Sequence, residues 1–121
     1  MTAGRRVWPV RLAAAAEVDF QNIVRWTAEH FGEAQARAYA QTLSAALEAL
    51  SAGPIASGAK ARDDIAKGVF TLHVARYGRR GRHFVVFRVG RYEGREVIDV
   101  LRLLHDAMDL PRHLSSADET T

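Results

Sequence analysis

Residues Gly81 to Leu114 read GRHFVVFRVGRYEGREVIDVLRLLHDAMDLPRHL, and the fold turns on this stretch. In HFVVFRV (His83 to Val89) and EVIDVLRLLH (Glu96 to His105), β-branched, aromatic and leucine side chains occupy both odd and even positions. That is the pattern of strands buried on two faces. GRYEG (Gly90 to Gly94) between them predicts a hairpin turn. Arg88, Asp99, Arg102 and His105 interrupt the apolar runs. A charge in a core strand is costly to bury unless paired, so these positions belong either to a satisfied network or to an open face used for contact.

Working upstream, VFTLHVARY (Val69 to Tyr77) alternates cleanly, with Phe70, Leu72 and Val74 on one face and Thr71, His73 and Ala75 on the other. This predicts a strand with one wet side, His73 being a surface residue on it. The turn Gly78 to Arg82 joins it to the next strand, so three strands form an antiparallel meander. Ser51 to Lys67, with glycines, Pro54 and mixed charge, reads as a crossing loop. Before it, two helical periods stand back to back. The first, from about Ala14, carries Ala16, Phe20, Ile23, Val24, Thr27 and Phe31 on one stripe and stops at Gly32. The second, Glu33 to Leu50, carries Ala36, Tyr39, Ala40, Leu43, Ala46, Leu47 and Leu50. With so short a link the two must form an antiparallel hairpin, Val18 and Trp26 of the first facing the second. Val7 to Leu12 is a short strand that Pro9 confines to an edge.

The class is therefore α+β: a short N-terminal strand, then a helical hairpin packed on a three- to four-stranded antiparallel sheet, in the order β-α-α-β-β-β, with a short C-terminal helical turn. One domain spans residues 7–114, and residues 1–6 and 115–121 are expected to be disordered tails. At 121 residues the chain can bury roughly two-thirds of its unfolded surface without a staple. The absence of cysteine excludes thiolate metal sites and cysteine nucleophiles, and fits a reducing compartment. No metal, cofactor or membrane contact is expected, and the reading is of a cytoplasmic protein.

Charge is uneven along the chain. Residues 1–64 carry seven basic and seven acidic side chains, residues 65–105 nine and three, and residues 106–121 one and four, so the middle segment is +6. Fifteen of the seventeen basic residues are arginine, the side chain suited to carboxylates and phosphates. An acidic partner or a nucleic acid follows as the natural counterpart.

The helical motif Ala16, Asp19, Phe20, Ile23, Trp26 (A-x-x-D-F-x-x-I-x-x-W), the alanine-rich second helix and the closing VIDVLRLLHDAMDLPRHL (Val97 to Leu114) together resemble the RelE/ParE superfamily of type II toxins, in particular its ParE branch of plasmid stabilisation proteins. The resemblance covers about Val7 to Leu114. It implies a toxin neutralised by a cognate ParD-like antitoxin with a ribbon-helix-helix domain and an acidic disordered tail. The two would form a hetero-oligomer that meets operator DNA only through the antitoxin. ParE-type toxins inhibit DNA gyrase and so replication, whereas RelE-type toxins cut mRNA on the ribosome. For gyrase contact the resemblance points to Arg102, His105, Met108, Asp109 and His113. For mRNA cleavage it offers Arg88, Arg102 and His105, although Asp106 places an acid where phosphate would approach. Antitoxin contact is expected at Arg76, Arg79, Arg80 and Arg82 with Trp26 and Tyr39, where charge and an apolar groove coincide. An inactive relative that only binds an antitoxin is the third alternative.

Overall fold

The computed structural model describes residues 7–55, 57–108 and 110. The tails expected at 1–6 and 115–121 lie outside the described residues, as do Asp109 and His113. The elements are β1 (Val10–Leu12), α1 (Ala14–Phe31), α2 (Glu33–Ala49), a 3-10 turn (Leu50–Ala52), β2 (Lys60–Ala61), β3 (Val69–His73), β4 (His83–Tyr92) and β5 (Arg95–His105). The sheet order is β1-β5-β4-β3-β2, β1 running parallel to β5 and every other pair antiparallel. The α+β class and element order agree with the sequence reading. The strand count does not: β2, two residues inside the expected crossing loop, makes a fifth.

Gly32 is the sole residue between the helices and has φ +90°, a value that side chains with a Cβ disfavour. It ends α1, donating to the Ala28 carbonyl, and its own carbonyl accepts from Ala36 as α2 begins. No side chain caps the entry to α1; Ala13 instead donates its N–H to the Val100 carbonyl, so the sheet anchors the helix start. The principal core lies between the helical hairpin and the sheet, where Leu43, Leu50, Phe87, Ile98 and Val100 are fully buried. Val69, Val86, Leu104 and Leu110 form a smaller core on the opposite face, with Ile65, Ala66 and Phe84 packed against it. Burial on both sides explains why Val85, Val86 and Phe87 are all apolar in succession.

The second core corrects the wet face expected of β3. Residues 62–68 and Leu110 fold across it, so Thr71 is buried and His73 is half-buried and hydrogen-bonded. β3 also ends at His73 rather than Tyr77: its ladder with β4 stops at the His73–Phe84 pair, and the chain turns later, through Tyr77 at φ +51° and Gly78 at φ +81°. The turn between β4 and β5 is tighter than the five residues expected. Glu93 and Gly94 alone turn it, both at positive φ, so the strands pair from Tyr92 and Arg95 onward. Val18 does not face α2 but is half exposed to solvent, and Phe31, expected on the buried stripe, is exposed.

Candidate functional site

The α1–α2 hairpin and the β3–β4 connection leave between them a groove of about 1120 Å³. Asn22, Ile23, Trp26 and Thr27 of α1 form one wall, with Phe31 at its end. Gln35, Ala38, Tyr39 and Thr42, spaced by three or four residues along α2, form the second. Arg79, Arg80 and Arg82 make the third side, while His83, His105 and Met108 contribute from the sheet end.

Tyr39 organises the floor. Its hydroxyl accepts from the Arg82 backbone N–H at 3.0 Å and lies 2.7 Å from His83 Nδ1. The phenol can donate to Nδ1 while accepting from Arg82, an arrangement that suits a neutral His83 ring. Burial and the neighbouring His105 agree with that state, pushing the His83 pKa down to about 4. Burial likewise pushes the Tyr39 phenol up. Gly81 completes the docking of the connection on α2: a Cβ there would collide with a Val74 methyl and press on the Tyr39 ring.

Asp106, just past β5, is the common neighbour of two imidazoles and one guanidinium. It accepts from His73 Nε2 at 2.9 Å and from Arg82 Nε at 3.3 Å, and its Oδ1 lies 3.6 Å from His105 Nδ1. The His73 hydrogen bond, helped by Arg82, holds its carboxyl below the usual carboxylate range. Rings of His83 and His105, opposite each other across β4 and β5, meet edge to face at 5.3 Å. Trp26 is half exposed and stacks on His30 at 4.1 Å.

Two sets of sequence-predicted residues thus converge on one surface. Trp26, Tyr39, Arg79, Arg80 and Arg82, expected to meet the antitoxin, share the groove with His105 and Met108, expected to meet the target. Arg76 stands apart: it donates to the Ser57 carbonyl at 2.7 Å and lies over the Tyr77 ring. Arg102 is also elsewhere, and neither Asp99 nor Asp106 is its partner. Its guanidinium forks onto Asp19 of α1, Nε to Oδ2 at 2.8 Å and Nη2 to Oδ1 at 3.0 Å, and the same carboxylate accepts the Leu103 N–H. A register shift between Val86 and Phe87 leaves Leu101 without an opposite number just before Arg102. Arg88 is exposed five residues along β4 from His83, so Arg88, Arg102 and His105 do not converge as one catalytic set. His83, Ala38, Gln35 and Asn22 were missed by sequence reading. The spacing Gln35, Ala38, Tyr39, Thr42 was the available signal, a second stripe on α2 offset from its core stripe.

Residues 10–110 match the family model described as ParE toxin of type II toxin-antitoxin system, parDE. The chain belongs to this family. Among curated proteins no match was found. Membership of the ParE toxin family makes the chain the toxin of a type II toxin-antitoxin pair, and so implies a cognate antitoxin. Within the described residues no helix is long and apolar enough to cross a membrane, and no three His, Asp or Glu side chains gather as a metal site.

Proposed function

We propose that this ParE-family toxin acts in the cytoplasm by binding and inhibiting DNA gyrase, and that an acidic, amphipathic segment of a ParD-like antitoxin neutralises it in the groove between α1, α2 and the β3–β4 connection. The observation that carries the reading is the groove's construction. Its walls are mainly apolar and helical, its floor holds a neutral imidazole, and its cations stand on one rim. An apolar groove of this kind fits an amphipathic helix, with carboxylates meeting the rim arginines. The gyrase assignment rests on the resemblance to ParE-type toxins; the internal ion pair of Arg102 weighs against a phosphate-binding role for it and equally takes it out of the expected gyrase contacts, leaving His105 and Met108 among the described residues.

A second reading, mRNA cleavage, gains one observation: His83 stands opposite His105 beside Tyr39 and the Arg82 backbone, a set able to move protons. The nearby Asp106 carboxylate weighs against bringing a phosphodiester there. Purified protein assayed in parallel on gyrase and on translating ribosomes separates the two. Inhibited supercoiling with accumulated gyrase–DNA cleavage complexes and intact mRNA is expected. Intact supercoiling with cut mRNA would replace the gyrase reading with the second.

A further inference from the structure

The sheet presents another surface on its opposite face, at the far end of β5. Register places Arg11 of β1 beside Asp99 of β5, and Asp99 beside Arg88 of β4. Because Ile98 and Val100 point into the helical core, this Arg-Asp-Arg row stands on the face that the helices do not cover. Tyr92 and Arg95 pair further along on the same side. Asp99 does not bridge its neighbours: its carboxylate lies over Gly90, where a Cβ would collide with it. Among the described residues, Arg11, Arg88 and Arg95 make no ion pair and all three are exposed. Arg11 instead stacks its guanidinium 3.9 Å from the centre of the Tyr92 ring. A cleft of about 310 Å³ opens between Arg11, Tyr92 and Arg95.

We propose that this face binds the phosphate backbone of a nucleic-acid duplex. Three guanidinium groups stand on adjacent strands of a rigid, open surface, Arg11 and Arg88 two strand spacings apart, roughly 10 Å. Guanidinium is the group best suited to fork onto phosphate oxygens, and stacking on Tyr92 holds one of the three in place. A protein partner would find little to bury here. Val97, the apolar side chain beneath the cleft, is already 2% exposed, and the exposed carboxylate at the rim, Glu93, is outnumbered by the three arginines. Along β5, Asp99 lies six residues and Arg95 ten residues from His105, roughly 20 and 33 Å, and the row stands on the face away from the helices, so nucleic acid here and a protein in the groove do not exclude each other.

Fluorescence anisotropy with labelled duplexes of about twenty base pairs, DNA and RNA of one sequence, tests this between about 50 and 200 mM salt. The wild type should bind at the low end, with affinity falling steeply as salt rises. Arg11→Ala/Arg88→Ala/Arg95→Ala should weaken binding at least tenfold and flatten the log–log salt slope by about 2–3. Arg79→Ala/Arg80→Ala/Arg82→Ala should stay within about threefold of wild type. Should the first triple variant fail to fold, Arg88→Ala/Arg95→Ala, which removes two solvent-facing side chains, should still lose at least fivefold. The difference between the DNA and RNA arms identifies which duplex is preferred. No wild-type binding at low salt, a preference for single strands over both duplexes, or equal loss in the two triple variants would overturn the proposal.

Discussion

Asp19 shows how one carboxylate can serve two polar groups through three hydrogen bonds. Beyond Val100, β5 has no β1 beside it, so the Leu103 N–H faces an open edge; the Asp19 carboxylate fills that place while also holding Arg102. Removing it leaves a partly buried guanidinium and an unpaired N–H, each expensive. Asp19→Ala should lower the unfolding free energy by about 2–4 kcal/mol, measured by urea denaturation. His83 makes a different demand, on pH. Its folded pKa of about 4 lies below the ordinary value of about 6.5, so the unfolded chain takes up the proton first. The corresponding stability is complete above about pH 6.5 and lost as pH falls toward about 4. Allowing for solvent screening at this half-buried ring, the loss should be about 1–2 kcal/mol, and His83→Gln should flatten that part of the stability–pH curve. The pairing of Arg102 also marks a limit of local reading. Asp99 and Asp106 are its acidic neighbours along the chain, whereas Asp19 lies 83 residues away and only the packing of α1 on β5 brings it near.

Among the elements, β4 and β5 were legible because their central residues are buried on both faces and are apolar at successive positions. The helical hairpin was legible from its 3.6-residue stripes and from Gly32. β2 was not, since Lys60 and Ala61 show no alternation and become a strand only by pairing with Thr71 and Phe70. The face of β3 was misread for a related reason: alternation reports side-chain polarity, and Thr71 is polar yet covered by a loop whose path the sequence does not specify. For the groove, the arginines, Trp26 and Tyr39 could be named from charge and periodicity. That Tyr39 docks on His83, 44 residues later, is a consequence of tertiary packing. The β3–β4 connection should be sensitive at Gly81. In Gly81→Ala the new methyl group must push either Val74 or Tyr39 aside, so antitoxin affinity should fall about tenfold or more in calorimetric titration, with a smaller loss of stability of about 1–3 kcal/mol.

Across the whole molecule, the +6 segment between residues 65 and 105 supplies cations to two separate places. Arg79, Arg80 and Arg82 border the groove, while Arg88 and Arg95 stand on the opposite face. Charges at a groove rim act mainly on encounter, because opposite fields steer a partner before contact forms. Arg79→Ala/Arg80→Ala/Arg82→Ala should therefore slow antitoxin association by about tenfold or more at low salt and reduce its salt dependence, as read by stopped-flow fluorescence. Unchanged kinetics would remove the rim from the encounter. The central claim, that this groove is where the toxin is neutralised, can be tested at one position. Ala38 is exposed on α2 and lines the groove, so glutamate there suits the helix while placing a carboxylate against an acidic, apolar partner. Calorimetric titration of Ala38→Glu with the cognate antitoxin should show affinity reduced by about a hundredfold or more, with thermal unfolding of the toxin unchanged. Wild-type affinity in that variant would contradict the account and move the neutralising contact elsewhere on the surface.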